Sequence, residues 1–304
     1  MTSAPLNSLQ EADPAQTLLG GTRSRLRRSI LGRLLKNPVG LSGAIMIALI
    51  LMAGVLAPWI SPYPPEFQDG DRVLIGPSWE NLFGTDNLGR DVFTRLAYGA
   101  RLSWFVGLTS VSIGATIGLL LGLTAGYFGG VVDNLLMRLI DIILAFPGLI
   151  LLITLVGILG PNLRNALIAI GIGMTPTFAR VTRAQVLALK ETEYVVAARM
   201  LGATDARIMF RHVLPNILAI LIVQVSLAFS FAILAETTLS FLGLGAQPPS
   251  PSWGATLNLS RQYMEQAPWL AIFPGLVVMI SVLGFNQLGD GLRDVLDPRL
   301  RGRM

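Results

Sequence analysis

The chain has 304 residues, 52% of them hydrophobic and 13% charged, with 23 Lys and Arg against 18 Asp and Glu. Soluble domains carry about a quarter charged residues, so this composition places the chain in the integral-membrane class. The absence of cysteine excludes disulfides and thiolate metal sites, and the lone His212 builds no imidazole cluster, so no metal site is expected. Basic residues split among membrane-flanking segments, without interleaved aromatics, exclude a nucleic-acid surface.

Residues 1–22 are rich in Ser, Thr, Pro, Gln and Gly and read as a disordered tail. Residues 23–38 form a basic juxtamembrane segment in which Asn37-Pro38 turns a short surface helix into the first span. Residues 39–290 carry charge-free runs at Val39–Pro65, Leu102–Val132, Ile142–Leu163, Asn165–Ala179, Val213–Ala235 and Gln266–Gly289. Crossing a ~30 Å hydrocarbon layer takes about 20 residues, and the six runs are read as six transmembrane helices of an all-α protein. The fourth is the shortest, with Pro176 inside it and Arg180 and Arg183 behind it; a re-entrant segment is its alternative. The first run starts late and lacks a small-residue cleavage pattern, so it is an uncleaved span rather than a signal peptide.

An outer loop, 61–101, follows the first span. Within it Asp86 and Asn87 suit a turn or cap, and Asp91 and Arg95 stand at helical i, i+4 spacing, which predicts a modest pair. The second span carries Gly114, Gly118, Gly122 and Gly126 at intervals of four, a face bare of side chains that lets another helix approach closely. The same face, at Gly114, Gly118 and Gly122, could instead line the moving path. Asp133, Arg138 and Asp141 precede the third span, where Arg138 and Asp141 are expected to pair and Pro147 to kink the helix.

A polar island, 181–214, separates spans four and five. Ala197 and Ala198 favour helix, Gly202 closes it as a left-handed C-cap, Thr204 or Asp205 caps a second short helix, and Pro215 opens the next span. Two short helices are marginal alone in water, so such a pair implies something that docks on it. The outer loop 236–267 begins with Glu236, placed in outer interfacial water or, alternatively, on the substrate path or its gate. Residues 291–304 form a tail. Seventeen of the Lys and Arg fall on the side of the termini and the island and six on the other, which makes that side cytoplasmic.

The order Ala197-Ala198, Gly202, Leu214-Pro215 resembles the cytoplasmic EAA loop of binding-protein-dependent ABC importer permeases. Val196 departs from that motif, standing where the family usually has Glu. The strings Phe83-Gly84-Thr85-Asp86-Asn87-Leu88-Gly89-Arg90-Asp91, Glu236 to Pro249 and Asn286 to Pro298 are similar to the C-type permeases of dipeptide, oligopeptide and nickel importers, and the likeness runs from about residue 34 to 300. It implies an ABC type I permease fold with a coupling loop formed by Glu193, Ala197, Ala198, Gly202, Ala203, Asp205, Ile208, Arg211, Leu214 and Pro215. It also implies a second homologous permease, two cytoplasmic ABC ATPase subunits or domains, an extracytoplasmic substrate-binding protein and a bacterial inner membrane. This chain would bind no cofactor, with ATP and Mg on the ATPase partners. The only lysines, Lys36 and Lys190, follow no glycine, so a phosphate-cradling Walker loop is absent. A peptide is the expected substrate, with nickel chelates, glutathione and oligosaccharides as alternatives. A stand-alone secondary transporter or a membrane scaffold is the competing class.

Overall fold

The computed structural model describes residues 30–296. The expected disordered tail 1–22, the start of the basic segment and the end of the 291–304 tail lie outside the described residues. The described chain is helical: α1 (Ile30–Leu34), α2 (Pro38–Ile60), α3 (Val92–Phe128), α4 (Gly130–Leu144), α5 (Gly148–Leu159) and α6 (Leu163–Leu189). Then come α7 (Glu193–Met200), α8 (Asp205–Phe241), α9 (Trp253–Tyr263) and α10 (Trp269–Leu296).

Local chemistry sets the helix starts. Asn37 accepts hydrogen bonds from the amides of Val39 and Gly40 with Pro38 at the first helical position, which turns α1 into α2. Asp91 caps α3 through the Thr94 amide, and Asn162 caps α6 through the Asn165 amide. These caps explain why the helices overrun the apolar runs. The apolar run reports the hydrocarbon layer, whereas backbone pairing continues to the next cap or breaker. Thus α3 starts inside the expected outer loop 61–101, α6 reaches Leu189, α8 starts at Asp205 inside the expected island, and α10 reaches Leu296.

Helices α2, α3, α8 and α10 are long and apolar enough to cross a membrane, and α4 with α5 forms a further candidate bent by 88°. The expected six spans are therefore reached only by counting both the bent pair and α6, whose apolar stretch is diluted by Pro176, Arg180 and Arg183. Pro147 does not kink a single helix. It disfavours helical backbone at Phe146, so α4 ends and α5 starts anew, and the 12 residues of α5 rise only about 18 Å.

The most extensive helix pairing is between α3 and α6. Gly114 abuts the Gly171 carbonyl and Met174, Gly118 abuts Phe178 and the Thr175 carbonyl, Gly122 abuts Thr182, and Gly126 abuts Val186. The Ser110 hydroxyl also donates to the Leu167 carbonyl at 3.1 Å. The glycine face is thus covered within the chain by α6, which is the packing reading; the pathway reading has no open surface there. Around this seam lies a core of Leu123, Leu152, Ile170, Phe178, Ile208, Ile217 and Leu239. A second cluster, with Val92, Leu96, Trp253, Leu270 and Phe285, fills the part of the bundle away from the island. Outward-facing Leu49, Phe105, Leu108, Ile158 and Met279 stay exposed, an arrangement suited to hydrocarbon rather than water.

Candidate functional site

The island folds as α7 followed by the first turns of α8. Val195 is fully buried and pins α7 to the core, while Glu193 and Ala197 are exposed and Ala198 is half-buried. The helix closes as a Schellman motif: Ala203 donates its amide to the Ala198 carbonyl at 3.1 Å and Gly202 to that of Arg199 at 3.0 Å. Gly202 has φ +82°, and a methyl group there would meet nothing within 4 Å, so backbone conformation rather than space requires the glycine. Thr204 then accepts from the Arg207 amide, as an N-cap should.

The second short helix expected in the island is not freestanding. Its chain runs unbroken into the long apolar helix through a π-helical turn, Ile208–Val213. Pro215 lacks the amide that would pair with the Arg211 carbonyl, and the widened turn accommodates that gap, with Leu214 donating to Met209. Asn216 meanwhile donates its side-chain amide to the His212 carbonyl at 2.6 Å. Ile208 and Val213 are fully buried and Leu214 is partly so, which makes these residues the anchors of the loop; Asp205, Arg211 and Pro215 are exposed.

Tyr127, at the C-terminal end of α3, joins the two halves. Its hydroxyl donates to Asp205 Oδ1 at 2.6 Å, and the Arg199 guanidinium stands over its ring at 5.7 Å. The most exposed large apolar groups of the loop are Met200 and Leu201, 85% and 88% accessible, with Phe210 at 52%. Motif reading missed these three as surface groups because the motif names the residues that shape the loop. An amphipathic pattern ending on two exposed apolar residues was the available signal.

Two ion pairs tie α4 to α6 at the same end of the molecule. Arg183 grips both carboxylate oxygens of Asp133 at 2.5 Å, and Arg180 meets Asp141 at 2.7 Å. The expected Arg138–Asp141 pair does not form, because the 88° bend lays α4 across α6 and gives Asp141 a partner there.

At the opposite end the first outer loop, α9 and the end of α8 meet. The expected Asp91–Arg95 pair is also absent: Asp91 is occupied by the Thr94 amide and the Asn81 side chain. Arg95, 5% exposed, donates to the Pro65 carbonyl at 3.2 Å and the Ser250 carbonyl at 3.5 Å. Asp86 forms a turn, accepting from the Leu88 and Arg90 amides, and pairs with the Arg90 side chain at 2.7 Å. Trp253 is buried and donates to the Leu96 carbonyl at 2.9 Å.

Glu236 is 1% exposed, so it does not lie in interfacial water; residues 243–253 fold back over it. Its Oε1 accepts from Ser240 at 2.7 Å and Ser252 at 3.0 Å, while Oε2 is enclosed without a partner among the described residues. Ser240 lines a cleft of about 270 Å³ that also reaches Asp86, Asn87, Arg90 and Arg95.

Residues 118–302 match the family of binding-protein-dependent transport system inner membrane components, and residues 25–77 match the N-terminal transmembrane domain of oligopeptide transport permease C. The dipeptide transport system permease protein DppC of Alkalihalophilus pseudofirmus is 47% identical over 90% of this chain and 90% of its own length. The di/tripeptide permease protein DppC of Pseudomonas aeruginosa is 48% identical over 87% of this chain and 89% of its own. The glutathione permease protein GsiD of Escherichia coli is 44% identical over 89% of each. Matches of this extent, spanning both the α3–α6 seam and the island, establish that the chain belongs to the permease subunits of binding-protein-dependent ABC importers.

Proposed function

We propose that this permease passes small peptides, delivered by an extracytoplasmic binding protein, across the inner membrane. It would do so beside a second permease of the same family, driven by two cytoplasmic ATPase subunits or domains that carry ATP and Mg. The observation that carries the coupling part is the anchored loop: Val195, Ile208 and Val213 fix it to the core while Met200 and Leu201 project from it. An ATPase seated on that apolar tip would transmit its closure through the rigid π turn into α8. The substrate part rests on the dipeptide and di/tripeptide permeases among the relatives. Termini on the cytoplasmic side follow from the excess of Arg and Lys there.

The test is accumulation of a labelled dipeptide and a labelled pentapeptide in cells lacking the chain, complemented with the native sequence or Gly202→Asp. Uptake restored by the native chain alone supports both parts. Peptide uptake unchanged by the deletion, in cells without another peptide importer, removes the peptide assignment and directs the assay to glutathione, the substrate in the name of one relative.

A further inference from the structure

The outer cleft holds a charge imbalance. Its charged lining consists of Asp86, Arg90 and Arg95, two guanidiniums against one carboxylate. Asp86 is committed to Arg90 at 2.7 Å and to two main-chain amides, which leaves Arg95 with a carboxylate oxygen no closer than 3.9 Å. Both hydrogen bonds that Arg95 donates go to neutral carbonyls at 3.2 and 3.5 Å. Arg95, 5% exposed, shares Asp86 with Arg90 at 3.9 Å and has Glu66 as its other acidic neighbour, so among the described residues no carboxylate engages its fork of donors directly, and a planar carboxylate is the ligand that matches that fork.

A second observation is independent of that one. Asn87, also in the lining, has a buried Oδ1 that accepts no hydrogen bond among the described residues. An unpaired acceptor of this kind is costly unless a ligand or a water supplies the hydrogen bond, and a ligand N–H is one way to supply it. A peptide end offers both groups one residue apart: the terminal carboxylate and the last amide N–H. An acidic side chain offers only the first. At about 270 Å³ the cleft has room for one or two residues, just below the ~300–1,000 Å³ of ordinary small-ligand sites.

We propose that this cleft receives the C-terminal end of a peptide at the outer mouth of the permease, with Arg95 holding the carboxylate and Asn87 accepting the last peptide N–H. The assignment rests on the peptide-import reading above and adds a holding site within the permease itself. It makes the permease sensitive to whether a peptide's C-terminus is free, apart from any selection by the binding protein.

The chain contains no cysteine, so Gln247→Cys places its single thiol in the exposed lining of the cleft. The experiment uses the assembled complex in nanodiscs without binding protein and measures protection of that thiol from a maleimide by alanyl-alanine or by alanyl-alaninamide. The free acid is expected to protect at a concentration at least about tenfold lower than the amide, the size of one charge-assisted hydrogen bond. Arg95→Gln should erase the difference and Arg95→Lys should keep part of it. The acid–amide comparison on otherwise native protein needs no folding-sensitive variant. Equal protection by the two, or protection by neither in a complex that imports alanyl-alanine once binding protein is added, overturns the cleft assignment and leaves the import reading intact. A complete complex that imports no peptide overturns both.

Discussion

Gly202 and Glu236 show how single residues constrain this molecule. At Gly202 the left-handed φ of +82° strains any L side chain by about 1–2 kcal/mol, although space is open around it. Gly202→Ala should therefore weaken the Schellman closure, while Gly202→Asp, whose short polar side chain tolerates left-handed backbone better, should act mainly by placing a carboxylate on the exposed loop. Both should insert normally, since the position lies outside every apolar span. We expect native amounts of membrane-inserted protein and reduced uptake; native uptake by Gly202→Asp would remove the loop's coupling role. Glu236 carries two hydroxyl hydrogen bonds on one oxygen. Glu236→Ala removes that acceptor and leaves two buried hydroxyls short of it, costing about 1–3 kcal/mol. Glu236→Gln keeps the accepting oxygen, so thermal unfolding in detergent should fall for Ala and stay near native for Gln.

At the scale of elements, the α3–α6 seam and the α4–α6 ion pairs make opposite demands on substitution. A methyl added at Gly118 would lie 2.5 Å from Phe178 Cβ and 2.7 Å from the Thr175 carbonyl, with backbone that cannot move aside cheaply. Gly118→Val should abolish folded protein on size-exclusion chromatography. Gly157→Ala, on α5 with nothing within 4 Å, should be neutral or stabilise by about 0.4–1 kcal/mol. The two ion pairs differ in exposure: side chains of Arg180 and Asp141 are 57% and 60% accessible, those of Arg183 and Asp133 35% and 13%. Double-mutant cycles should give about 0.5 kcal/mol or less for the first pair and a larger coupling for the second, bidentate one. The spacing of Gly114, Gly118, Gly122 and Gly126 was legible in sequence because it is periodic, and the Gly202 and Thr204 caps because they are local. The partners of Asp133, Asp141 and Arg95 were not, since each lies on another element. The bend at Pro147 looked like a kink because a proline signals a break without its angle. The burial of Glu236 was hidden because residues 243–253 return over it.

For the whole molecule, composition was enough to place the chain in a membrane, and the excess of Arg and Lys on one side is what the proposed orientation rests on. The span count was less secure, because the bent α4–α5 pair and the charge-bearing α6 fall between a crossing and a surface helix. The molecule presents large apolar faces outward and an anchored loop at one end, the form of a subunit that works through partners. The most direct test of that coupling account is reconstitution of the complete importer in proteoliposomes with native chain or with Leu201→Asp, following ATP-dependent uptake of a labelled dipeptide alongside retention of the ATPase subunits. Leu201 is 88% exposed, so the substitution leaves the permease core untouched. The account predicts an inserted permease with native thermal stability that retains less ATPase and imports little or no peptide. Full ATPase retention together with native uptake by Leu201→Asp would contradict it.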